Sequence, residues 1–160
     1  MQNSLKPVSA GSIPDEINII IEIPANSSSV KYEINKYTGA MFVDRFISTP
    51  MFYPCNYGFV PETLSDDCDT ADVLVITPYP LIHDSVIVAR PIGVLKMTDE
   101  AGEDAKILAV PIDKLCRSYQ NIRCIDGVDI ALKNKIEHFF KYYKNLDKEK
   151  WATIEGWGRC

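Results

Sequence analysis

The 160 residues are the length of one domain, and a 46% hydrophobic content suffices for a packed core. A formal net charge of −5, with no run of Lys or Arg, excludes a duplex-binding surface, although bound cations can invert the sign around a small anion. No stretch approaches the roughly 18 apolar residues of a membrane span, and residues 1–12 lack the apolar core of a secretory signal.

The chain is expected to form a single domain over 1–160, with 1–14 as a mobile tail. Residues 17–23 are an isoleucine-rich run closed by Pro24, and 30–34 alternate apolar and charged side chains, so both read as strands. A third strand, 40–46, follows the turn signal Thr38-Gly39. Tyr53 and Tyr57 bracket Pro54, Cys55 and Asn56, a stretch too irregular for plain core. Residues 72–77 form a short apolar strand. Two longer strands, 85–96 and 105–111, flank a polar loop, 98–104, with Gly102 to turn the chain. Leu132, Ile136, Phe139, Phe140 and Tyr143 fall at helical spacing, which predicts an amphipathic helix over 129–146 with Asp129 as its N-cap. Residues 151–157 return as a last strand. Short antiparallel strands with one or two helices point to a mainly β fold: a small closed barrel with packed helices. Closure brings alternate residues of many strands to one face.

The five cysteines, Cys55, Cys68, Cys116, Cys124 and Cys160, are an odd and scattered set without a Cys-x-x-Cys pair. That pattern fits free thiols in a reducing cytoplasm better than disulfides. His83 and His138 are too few and too far apart to read as a zinc site.

Acids crowd the turns. Asp66, Asp67, Asp69 and Asp72 fall within seven residues just before an apolar strand, and Asp99, Glu100, Glu103 and Asp104 share a second loop. Glu22 interrupts the first strand. Like charges this close repel, and a hard divalent cation such as Mg²⁺ relieves the repulsion through oxygen ligands. The plainer alternative is two solvated surface loops. An EF-hand starting at Asp67 fails, because its sixth position is Asp72 rather than glycine and its twelfth is Pro78 rather than glutamate. Cations are interleaved with these acids: Lys31, Arg45, Lys96, Lys106 and Lys144. Lys106 stands two residues past Asp104, on the same face of a strand. Acids for metals beside bases for anions is the layout that phosphoryl transfer requires, and scattered surface ion pairs are the alternative.

Many ordered segments together resemble the soluble family I inorganic pyrophosphatases of bacterial type. They include 21–26 (Ile-Glu-Ile-Pro-Ala-Asn), 31–34 (Lys-Tyr-Glu-Ile), 42–45 (Phe-Val-Asp-Arg), 53–58 (Tyr-Pro-Cys-Asn-Tyr-Gly), 93–100 (Gly-Val-Leu-Lys-Met-Thr-Asp-Glu) and 155–157 (Glu-Gly-Trp). The resemblance implies an OB-like five-stranded closed barrel with packed helices, a site in the barrel mouth, several Mg²⁺ per subunit and a cytoplasmic homohexamer. It implies hydrolysis of pyrophosphate to two phosphates by a metal-activated water, without a covalent intermediate. By motif position, Asp67, Asp72 and Asp104 correspond to first-metal ligands. Asp99, with Glu22 or Glu100, corresponds to the acidic side that takes further metals. Asp69 corresponds to the residue that accepts the water's proton. Lys31, Arg45, Lys106, Tyr143 and Lys144 correspond to a phosphate grip, and Tyr57 to a hydrogen-bond donor.

Three departures accompany the resemblance. Cys68, Thr70 and Ala71 replace the glycine, proline and larger apolar residue usual around the aspartates. The family usually runs past Trp157 into a further helix, whereas this sequence ends at Cys160, and Tyr142 replaces a common histidine near the oligomer contact. Two other readings stay open: a barrel that binds nucleic acid or another oligomeric anion without catalysis, against which the acidic balance argues, and a folded but inactive homologue.

Overall fold

The computed structural model describes residues 8–63 and 70–159. Their elements are β1 (Ile17–Ile23), β2 (Val30–Ile34), β3 (Met41–Phe46), β4 (Asn56–Val60), β5 (Ala71–Val75), β6 (Val86–Asp99), β7 (Gly102–Pro111), α1 (Ile130–Tyr142) and β8 (Ala152–Arg159). Single 3₁₀ turns at Arg117–Tyr119 and Ile125–Gly127 lead into the helix.

The expected closure is present. β1 pairs with β4, β4 with β5, β5 with β7 and β7 with β6, and β6 returns to β1, so five strands form a ring. β8 adds to β6 outside the ring, and β2 with β3 makes a separate hairpin. The strand pairings are antiparallel as expected except for one, β5 with β7, which run parallel. β4 opposes β5, β1 opposes β4 and β6 opposes β1, so β7, turning back from β6, runs along β5.

The 14-residue length of β6 permits the closure. Its start, at Val86 to Ala89, pairs with β1, and its later residues pair with β7 and β8. The register slips between Pro91 and Gly93, leaving Ile92 as the extra residue with its side chain fully buried.

The polar loop expected over 98–104 is shorter than that. β6 runs to Asp99 and β7 starts at Gly102, so only Glu100 and Ala101 form the turn. Asp99 Oδ1 accepts the Ala101 N–H at 2.9 Å, and Gly102 takes φ +119, a value that favours glycine.

The segment around Tyr53 and Tyr57 is core after all. Every residue of β4 is buried between β1 and β5, so no polar alternation marks it in the sequence. A Cβ on Gly58 would lie 2.1 Å from the Ile20 carbonyl oxygen, so glycine alone permits this approach.

Alternate side chains feed two clusters. Val73 and Val75 join Ile17, Ile19 and Ile21, whereas Leu74 joins Leu95, Leu108 and the helix residues Ile136, Phe139 and Phe140. Asp129 caps α1 as its spacing predicts, accepting the Ala131 N–H at 3.1 Å. The helix ends at Tyr142, four residues short of the expected 146. The Tyr143 N–H bonds Phe139 O and turns follow. Of the expected tail, 1–7 lie outside the described residues, while Ser9 and Ala10 carbonyls accept hydrogen bonds from Asn18. Among the described residues no helix is long and apolar enough to cross a membrane.

Candidate active site

Ring closure gathers one cavity of about 290 Å³. Each element contributes by strand phase: Lys31 from β2, Arg45 from β3, Tyr57 from β4, Asp72 from β5, Asp99 from β6, and Asp104 and Lys106 from β7. Glu100 comes from the β6–β7 turn, and Tyr143 and Lys144 follow α1.

Lys106 is the electrostatic centre. Asp72 and Lys106 are register partners across the parallel β5–β7 pair, and Asp104 is two residues away on β7. Lys106 Nζ lies 2.9 Å from Asp72 Oδ2, 2.9 Å from Asp104 Oδ2 and 2.9 Å from Tyr57 Oη. An ammonium has three N–H donors, so this set matches its full capacity. Burial alone would push its pKa down, but the Tyr57 hydroxyl and the two carboxylates outweigh that and hold it well above the ordinary lysine range. Burial pushes the Tyr57 phenol far up, and Tyr53 and Tyr143 rise for the same reason. The Lys106 charge also sits over the Tyr57 and Phe140 rings, at 5.3 and 5.9 Å from their centroids.

A second group faces it from the β2–β3 hairpin. Arg45 Nε donates to Asp44 Oδ2 at 2.8 Å, and Lys31 Nζ is 3.6 Å from the same oxygen. Partial burial raises the Asp44 pKa, but the Arg45 hydrogen bond and the Lys31 charge prevail and hold it below the usual carboxylate range. Asp44 thus leaves both cations at the cavity edge. The third group comes from the turn, where Lys144 Nζ lies 3.0 Å from Asp99 Oδ2 and 3.2 Å from Glu100 Oε1. Burial lowers the Lys144 pKa, but Tyr143 and these carboxylates more than reverse it.

Of the expected site residues, Lys31, Arg45, Tyr57, Asp72, Asp99, Glu100, Asp104, Lys106, Tyr143 and Lys144 line this cavity. Asp67 and Asp69 lie outside the described residues. Glu22 is placed elsewhere: it is 6% exposed, it does not line the cavity, and its Oε2 accepts the Ile34 N–H at 2.7 Å. Burial pushes its pKa to about 7 against the pull of that hydrogen bond, with the negative charges of Glu33 and Asp72 adding to the rise. The cavity also has Tyr53, Glu103, Phe140, Asp147 and Lys150 in its wall. Helical spacing marks Phe140 only as core, and Asp147 and Lys150 belong to no motif or acid cluster, so no sequence signal singles them out.

The donor chemistry of the wall suits a hard cation. Asp72, Asp99, Glu100, Glu103 and Asp104 offer carboxylate oxygens, and among the described residues no Cys or His lines the cavity. Among the described residues, no three such ligands gather closely enough to hold a metal ion unaided. Asp72 and Asp104 instead converge on Lys106.

The inorganic pyrophosphatase family model matches residues 19–160. The chain belongs to the inorganic pyrophosphatase family. It is 58% identical over 155 residues to the inorganic pyrophosphatase of Escherichia coli, covering 96% of this chain and 88% of that one. The Vibrio cholerae inorganic pyrophosphatase is 57% identical over 155 residues, with the same coverage of both chains. The solved inorganic pyrophosphatase of Coxiella burnetii superposes with a TM-score of 0.92 at 51% identity, covering 95% of this chain and 90% of that one. The family's OB-like fold agrees with the five-strand ring seen here.

Proposed function

We propose that this chain is a metal-dependent hydrolase that splits inorganic pyrophosphate into two phosphates, by attack of water and without a covalent intermediate. One observation carries the reading. Carboxylates of Asp72, Asp99 and Asp104 and cations Lys31, Arg45 and Lys144 come from distant strands to the wall of one cavity. A site with acids alone would repel the substrate, and one with bases alone would bind it without activating water.

Mg²⁺ is the proposed cofactor, several per subunit, held by Asp72 and Asp104 with Asp67, and by Asp99. When bound it supplies positive charge and acidifies water. The remaining roles belong to the chain's own groups. Asp69 takes the proton of the attacking water. Lys31, Arg45, Tyr143 and Lys144 hold the phosphate oxygens and meet the charge on the leaving phosphate. Lys106 reaches a phosphate oxygen by exchanging one of its three present partners, and Tyr57, whose oxygen accepts from Lys106, donates a hydrogen bond through its own O–H. A homohexamer in the cytoplasm, free of nucleic acid, is proposed with this role.

The deciding experiment is phosphate release from pyrophosphate, with Mg²⁺ and then with excess chelator. Release that needs the metal is expected. No release under either condition would leave the folded but inactive homologue as the correct reading.

A further inference from the structure

Glu100 stands at the tip of the β6–β7 turn, where a metal role is the first expectation for an acid. Both of its carboxylate oxygens instead meet protein donors. Oε1 lies 3.2 Å from Lys144 Nζ, and Oε2 accepts the Trp151 backbone N–H at 3.3 Å. Trp151 immediately precedes β8, and Lys144 follows the C-cap of α1. The one side chain therefore spans both ends of residues 144–151. That segment has no regular element of its own, yet it contributes Lys144, Asp147 and Lys150 to the cavity wall. Asp99 holds Lys144 as well, but it has no bond to Trp151.

We propose that Glu100 is a positioning residue that latches the 144–151 segment against the β6–β7 turn, so that Lys144 is held ready for a phosphate oxygen. The inference rests on the pyrophosphate reading and deepens it, by separating the acid that orders the wall from the acids that take metal. Its chemistry is local. A carboxylate offers two oxygens, and the two donors it meets are a side-chain ammonium and a main-chain N–H that no strand pairing uses. Without the latch, Lys144 keeps Asp99 and β8 still pairs with β6 from Ala152, but the Trp151 N–H loses its side-chain acceptor and the segment between gains freedom. Substrate binding then includes the ordering of that loop.

Amide hydrogen exchange on the full chain in chelator tests the latch without substrate or metal. In Glu100→Ala, the Trp151 amide is expected to exchange about five-fold faster than in the parent, with amides of β4 and β5 unchanged. In Glu100→Gln, one acceptor oxygen remains, and an intermediate rate is expected. With Mg²⁺ and pyrophosphate, Glu100→Ala should raise KM about three- to ten-fold with kcat within about two-fold, while the Mg²⁺ titration midpoint stays in place. Unchanged exchange at Trp151, equal acceleration throughout the chain, or a ten-fold shift of the Mg²⁺ midpoint would overturn the latch. Hydrolysis by the unaltered chain is measured alongside, so loss of the pyrophosphate reading is seen separately.

Discussion

Lys106 Nζ and Tyr57 Oη are 2.9 Å apart in a buried contact between β7 and β4. The two strands are not sheet neighbours, because β5 lies between them. The bond therefore crosses the middle strand and ties the acid-bearing side of the cavity to the aromatic cluster behind it.

That contact sets an alkaline limit on stability. Lys106, Tyr57, Tyr53 and Tyr143 all keep their protons to higher pH in the folded chain than in the unfolded one. The unfolded chain releases them near about pH 10. Their stabilisation is therefore complete below that pH and is lost as the pH rises through the folded values. Urea midpoints taken across this range should be flat at first and then fall. Tyr57→Phe should lower stability by about 1–2 kcal/mol at neutral pH, because Lys106 loses a buried acceptor, and its alkaline decline should be shallower.

Glu22 gives a second window of the same sign at lower pH. Its carboxyl titrates near about 7 in the fold against 4.5 ordinarily. The folded chain then holds a proton that the unfolded chain has released, so stability falls as pH rises through this interval. Glu22→Gln keeps an oxygen for the Ile34 N–H and removes the charge. In chelator it should be more stable than the parent at about pH 8, by up to about 3 kcal/mol, and no more stable near about pH 4. Denaturant midpoints at the two pH values check this. Equal effects at both would remove the buried charge as the cause.

The proposed chemistry separates two substitutions. Asp69→Asn should lower kcat by about 10²- to 10⁴-fold with most Mg²⁺ binding retained, as loss of a proton acceptor requires. Arg45→Ala should lower kcat/KM by about 10- to 100-fold, with KM and kcat both affected, as loss of a phosphate contact requires. Steady-state rates with calorimetric metal titration distinguish these outcomes. Unchanged kinetics for either variant would take that residue out of its role.

Asp129→Ala tests the start of the helix that positions Tyr143 and Lys144. Its side chain accepts the Ala131 N–H, and alanine leaves that donor to solvent. A loss of about 1 kcal/mol is expected in thermal or urea unfolding. Activity at a temperature where both proteins are folded should change little.

The sequence alone carried the local elements of the fold. The isoleucine run of β1, the alternation of β2 and the helical phase of Ile136, Phe139 and Phe140 are repeats within a few residues, and each matches its observed element. β4 stayed hidden because burial on both faces erases alternation, and the turn at Glu100 looked longer because polar residues continue into paired strand ends. The same locality explains what was legible of the candidate site. The sequence supplied the acids and cations, and even the shared face of Asp104 and Lys106.

Only the tertiary structure decided which of these groups meet. It joined Asp72 to Lys106 through a parallel register, withdrew Glu22 from the cavity, and turned Glu100 toward Trp151. Those outcomes depend on ring closure and on contacts between residues 12 to 51 positions apart, which no short-range periodicity encodes. Charge and spacing name the available chemistry, whereas closure of the ring sets the distance at which each charge acts.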